Sequence, residues 1–132
     1  MLTKNREIVS RKLGLRSHPV AAGAVIFSGA MVALNAAGFA VPATSVAGLR
    51  TQGRATYGVD NTGGPDGAAH IESQSDMAQR YDNDAVSPVT RADIDGDCYV
   101  LDDHTVSSDG TNRSVAGKVS DVDADGVWVD FT

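Results

Sequence analysis

Cysteine is almost missing from this chain. Cys98 stands alone among 132 residues, which excludes an intrachain disulfide and with it a disulfide-stapled secreted scaffold. Aromatic side chains are few, with three Phe, three Tyr and one Trp beside fourteen Gly. A core built from such residues is thin, so much of the stability is expected to come from partners. The three histidines, His18, His70 and His104, are far apart and lack the short-range spacing of a zinc site. The glycine-rich run from Asn61 to Gly67 has neither the lysine nor the following helix of a phosphate-binding loop. Cys98 reads as a small buried hydrophobe, not as a catalytic thiol. No enzyme, cofactor or metal is expected from this inventory.

Charge is also missing from one long stretch, since no charged residue lies between Arg16 and Arg50. Its apolar part, PVAAGAVIFSGAMVALNAAGFAVP from Pro19 to Pro42, is long enough to span a membrane. It follows a basic segment, and small residues near Ala43 and Ala47 offer signal-peptide cleavage sites. The interior argues for strands instead. Val25-Ile26-Phe27 and Met31-Val32-Ala33-Leu34 are separated by Ser28-Gly29, and Asn35-Ala36-Ala37-Gly38 precedes Phe39-Ala40-Val41. Bulky groups in threes and fours, divided by residues that tolerate positive backbone angles, suit short strands joined by tight turns. No membrane span is expected. The competing reading is an exported small β protein from which residues 1–43 or 1–47 are removed.

The net charge of −6 conceals an asymmetry. Residues 1–18 carry Lys4, Arg6, Arg11, Lys12 and Arg16 against Glu7, a net of +4, and the remainder carries six basic and sixteen acidic side chains, a net of −10. An acidic body repels nucleic acid, so direct nucleic-acid binding through it is not expected. The basic segment suits an acidic partner surface. With Gly14 inside it and Pro19 at its end, it is expected as an extended arm over 1–18, followed by one domain over 19–132.

Along the body, Leu49 to Tyr57 is expected as a strand with a bulge at Gly53, and Asp66-Gly67 as a hairpin connection to a strand at Ala68 to Glu72. Ser73 to Val86 lacks apolar patterning and reads as a loop with at most a helical turn. Thr90 to Asp93 has the spacing of a capped short helix stopped at Gly96. Further strands are expected at Cys98 to Leu101, Thr105-Val106, Ser114 to Ser120 and Gly126 to Phe131. The fold class is therefore all-β, a small β-barrel or β-sandwich of short antiparallel strands with an extended N-terminal arm and at most one short helix.

Two acidic groups carry the remaining chemistry. Asp121, Asp123 and Asp125 followed by Gly126 match the first half of a calcium loop, but position twelve is Thr132 and the flanks are strand-like. The segment is read as a hairpin turn, with a calcium-dependent binding module as the alternative. Asp102, Asp103 and His104 are read as a solvated turn, because nothing in the pattern separates two carboxylate pKa values.

The stretches from Pro19 to Gly64 and from Thr90 to Phe131, taken together, resemble the capsid cement (decoration) proteins of tailed, Mu-like bacteriophages. The resemblance rests on small residues, turns and strand clusters. It implies a structural protein of the virion, on the outer surface of the phage head. Its partner would be the major capsid protein, whose neighbouring subunits a homotrimer bridges against internal pressure. On that reading Arg6, Arg11, Lys12 and Arg16 pair with acidic capsid groups, with Leu15 and Val20 as apolar anchors.

Overall fold

Successive residues of a β-strand face opposite sides, and in this molecule one strand uses both sides for packing. A computed structural model describes all 132 residues. Its first half holds β1 (Leu15–Pro19), β2 (Val25–Ile26), β3 (Met31–Leu34), β4 (Ala40–Pro42), β5 (Arg50–Ala55), β6 (Val59–Asp60) and β7 (His70–Gln74). The second half holds β8 (Gln79–Asn83), one 3-10 turn (Arg91–Asp93), β9 (Asp97–Asp102), β10 (Thr105–Ser107), β11 (Val115–Asp123) and β12 (Gly126–Asp130). The protein is all-β, as its turn-punctuated sequence implies.

Five strands of the first half form one sheet in the order β1-β7-β5-β3-β4. The chain curls that sheet toward closure, for Val20 bridges Ala40 in parallel just beyond β1. β2 and β6 form a separate two-stranded ribbon. The second half is a closed barrel in the order β10-β8-β12-β11-β9, antiparallel throughout except for the parallel pair β8 and β10.

β3 is the wall between two cores. Val32 points into a cluster with Val20, Ile26, Ala30, Ala40, Ala55 and Ile71. Met31 and Ala33 point the other way, into the barrel's cluster with Tyr81, Val89, Cys98, Val100, Val106, Val119, Val127 and Val129. This is why MVAL is uninterruptedly apolar: neither face of β3 meets water from Met31 to Ala33, and Leu34 at its end is half-buried. Tyr81 adds a polar tie, its hydroxyl donating to the Gly29 carbonyl at 3.3 Å. The halves thus pack as one body.

The bulge expected at Gly53 is present. Val32 stands opposite Gly53 and Ala33 opposite Thr51, leaving Gln52 as the extra residue. Gly53 has φ +151, and a side chain there would run into the Gln74 carbonyl. Thr90 and Asp93 cap the 3-10 turn, Asp93 Oδ2 accepting the Thr90 N–H at 2.8 Å.

Three expectations are corrected. Ser73 to Val86 is not a loop: it contains the end of β7 and all of β8. Tyr81 is the one large inward side chain of β8, while Arg80 and Asp82 face solvent. Asp66-Gly67 does not close a hairpin, because β6 pairs with β2 and the loop from Asn61 to Ala69 crosses to β7. Asn61 holds that loop, its Nδ2 donating to Ala21 and Pro65 carbonyls at 2.9 and 3.0 Å. Finally, residues 15–18 do not belong to the arm. They pair with β7 in the register Leu15↔Gln74 to His18↔Ile71, so the arm ends at Leu13.

The arm leaves its mark on total surface. A folded monomer of 13.7 kDa is expected to expose about 6,600 Å², and this chain exposes 7767 Å². An uncovered N-terminal segment accounts for an excess of that sign.

Candidate functional site

All of residues 1–13 are exposed. Leu2, Ile8, Val9 and Leu13 are 70%, 89%, 86% and 84% accessible, and the basic groups Lys4, Arg6, Arg11 and Lys12 lie among them. Fully extended, thirteen residues reach about 45 Å at most.

Gly14 is the pivot between arm and body. Its carbonyl accepts the Ser75 N–H at 2.8 Å, which continues the β1–β7 ladder by one residue. Its φ is +122, and a β-carbon there would lie 2.8 Å from Asp76 Cβ. Only glycine meets both conditions without strain. Around this pivot Leu13, Gly14, Arg16, Ser75, Asp76, Phe131 and Thr132 line an open depression of about 300 Å³.

The structure divides the six residues expected to touch a partner. Arg6, Arg11 and Lys12 lie on the arm, and Leu15 and Arg16 are exposed on β1, an edge strand of its sheet. These five are all exposed, on either side of the buried pivot Gly14. Val20 is the exception and a correction: it is 0% exposed. Its N–H donates to the Ala69 carbonyl and its own carbonyl accepts from Gly67, both at 2.9 Å. As a core residue of the first half it offers no surface to a partner. Leu2, Ile8, Val9 and Leu13 are not among the six expected contacts, because the weak helical spacing of Ile8, Val9 and Leu13 in the sequence marks no contact face.

Charge is segregated within the body as well. Residues 19–74 carry two basic and three acidic side chains, a net of −1, whereas 75–132 carry four basic and thirteen acidic, a net of −9. A positive arm, a near-neutral first half and an acidic barrel follow one another along the chain.

The acidic motifs are engaged in local structure. Asp123 Oδ1 accepts the N–H groups of Asp125 and Gly126 at 2.8 and 3.1 Å, and Oδ2 accepts the Trp128 indole N–H at 3.0 Å. These donors hold its carboxyl below the usual carboxylate range. Asp121 pairs with Arg91 at 3.1 Å and Asp125 with Arg80 at 4.0 Å, so the three carboxylates tie a hairpin and point to different partners. At the β9–β10 turn the His104 ring Nδ1 lies 3.0 Å from Asp102 and 3.1 Å from Asp103. The hydrogen bond to Asp103 raises the His104 pKa. Ligand atoms of these three residues fall within 4.8 Å of one another, and the backbone N–H of His104 also donates to Asp102 at 2.9 Å, the pattern of an Asx turn.

Cys98 is fully buried, and burial pushes its thiol up to about 12, the behaviour of a structural cysteine. Ser107, Asp84 and Arg113 form a polar network that sequence reading missed. Ser107 donates to Asp84 Oδ2 at 2.8 Å, and Arg113 Nη1 donates to Ser107 Oγ at 3.1 Å. It pins the loop before the 3-10 turn to β10. No helix is long and apolar enough to cross a membrane. No protein-family model matches the chain, and neither a curated protein nor a solved structure matches it.

Proposed function

We propose that this chain is a bacteriophage capsid cement protein, which binds the outer surface of the head and bridges major capsid subunits without catalysing a reaction. The observation that carries the reading is the arm. Thirteen exposed residues set apolar Leu2, Ile8, Val9 and Leu13 among four cations, and no side chain of the body hydrogen-bonds to them. Apolar groups in such number are stabilised only by a surface that covers them, and the cations select an acidic one. An arm laid along a shell gains contact area from few residues, at an ordering cost. Leu15 and Arg16 extend the same contact onto β1. The resemblance in sequence supports the choice of shell as partner, and with it a homotrimer and a place in the virion.

The geometry disfavours the export reading. Cleavage after Ala43 or Ala47 would remove β1 to β4, including the strand whose two faces complete both cores. The calcium reading is weakened by Asp123, whose two oxygens are already engaged inside the hairpin.

The test is sedimentation with purified undecorated shells. Full-length protein is expected to pellet with shells, and a chain lacking residues 1–13 to stay in the supernatant. Reversing Arg6, Arg11 and Lys12 to Glu is expected to weaken binding, with a milder salt dependence left behind. Equal binding by the truncated chain would refute the arm's role, and no binding by the full chain would refute the cement reading.

A further inference from the structure

Aspartate followed by glycine is a reactive dipeptide, because a glycine nitrogen has no side chain beside it to shield it from the carboxyl. The chain holds four such pairs, Asp66-Gly67, Asp95-Gly96, Asp109-Gly110 and Asp125-Gly126. Ring closure needs a glycine N–H that is free of other bonds. Three are engaged. Gly67 donates to the Val20 carbonyl and Gly96 to that of Asp93, both at 2.9 Å, and Gly126 donates to Asp123 Oδ1 at 3.1 Å. Gly110 lies outside the strands, and its N–H donates to no acceptor of the protein. Asp109 beside it is exposed. Packing imposes both residues of this pair. A β-carbon on Gly110 would lie 2.6 Å from the Tyr99 ring, and Asp109 Oδ1 accepts the Thr111 N–H at 2.9 Å, which shapes the turn between β10 and β11.

We propose that Asp109-Gly110 is a modification site at which the folded chain converts aspartate to isoaspartate without an enzyme. The Gly110 nitrogen attacks Asp109 Cγ and loses its proton, and the carboxyl hydroxyl leaves as water, giving a succinimide ring. Water then opens the ring at either carbonyl. One opening restores aspartate. The other leaves Gly110 joined through Cγ, with the former Asp109 carbonyl as the free carboxylate. No oxidant or partner is consumed, and the chemistry is intrinsic to the folded chain. The main chain becomes one methylene longer, and the Thr111 N–H loses its carboxylate cap. The carbonyl oxygen that accepts Arg113 Nη1 at 3.0 Å becomes part of the new carboxylate. Arg113 also donates from Nε to Ser45 Oγ at 3.0 Å, so the change reaches a tie between the two halves. The neutral carboxyl is the reactive form. Hydrogen bonds from Thr111, with Arg113 adding and Asp84 opposing, hold the Asp109 carboxyl below the usual carboxylate range. Conversion is therefore expected to be faster at about pH 5 than at about pH 8.

The test compares Asp66→Asn, Asp95→Asn, Asp109→Asn and Asp125→Asn in the full-length chain. A side-chain amide undergoes the same attack with ammonia leaving, so carboxyl ionisation drops out of the comparison. Each variant is incubated at physiological temperature, folded and in urea, and deamidation is followed by peptide mass mapping. Thermal melting establishes that each variant is folded. Folded Asp109→Asn is expected to deamidate about fivefold or more faster than the other three, the factor that one net hydrogen bond on the nitrogen is worth. In urea the four are expected to react alike. In the wild-type chain isoaspartate is expected at Asp109 first, together with faster amide exchange at Thr111. Faster reaction at any of the other three positions in the folded chain overturns the proposal. So does an Asp109→Asn chain that is inert when folded and reactive in urea. Isoaspartate at Asp109 with unchanged exchange at Thr111 would overturn the loss of the cap.

Discussion

Gly14 and Asp76 are packed so that the glycine's missing side chain is the space the aspartate occupies: a β-carbon on Gly14 would sit 2.8 Å from Asp76 Cβ and 2.9 Å from its carboxyl. The φ of +122 at Gly14 adds a backbone requirement to the steric one.

Gly14→Val is therefore expected to destabilise the fold by about 1–3 kcal/mol, read from urea unfolding. Replacing Asp76 by Gly in the same chain, which removes the β-carbon as well as the carboxyl, is expected to recover only part of the loss, since the backbone strain persists. Full recovery would mean that contact alone makes glycine necessary at this position.

Met31 faces the barrel core from β3 and is 0% exposed. Met31→Ala is expected to cost about 2–5 kcal/mol, a large share of the stability of a small domain. Because β3 serves both cores, both halves are expected to unfold in one transition. Trp128 fluorescence, reporting on the barrel, and amide exchange at Ile71, reporting on the first half, are expected to change together. Separate transitions would contradict the shared wall.

Two histidines are expected to give pH effects of opposite sign. His18 is buried against Ser73, Nε2 to Oγ 2.9 Å, and burial lowers its pKa, with Arg16 adding to the shift. Its neutral form is favoured in the fold, so its contribution is present above the unfolded histidine value and is lost as pH falls toward the lowered one. The His104 pKa is raised by Asp103, so its contribution is present below the unfolded value and is lost as pH rises through the raised one. Stability of wild type, His18→Gln and His104→Gln between about pH 5 and 8 checks both signs. The His18 variant is expected to lose less on acidification than wild type, and the His104 variant less on going alkaline.

Much of the fold is legible from residue order, and the exceptions have a common cause. Strands whose bulky residues come in pieces, such as β3 and β12, declare themselves because local pattern and burial agree. β8 does not, because a barrel strand can be held by its neighbours with Tyr81 as its only large inward group. The arm's positive charge can be read directly, whereas the burial of Val20 cannot: the sequence places it next to the arm, and its bridge to Ala40 turns it inward.

Sequence alone determined the strand-and-turn character, the basic start against an acidic remainder, and the lone cysteine, since these depend on residue type and short-range order. Tertiary structure decided that β3 is a wall with two dry faces. It also ended the arm at Leu13 instead of His18 and left Phe27 outside while Val20 went in. Each of these depends on pairings between residues tens of positions apart, and composition and local periodicity carry no record of which partner a strand edge will find.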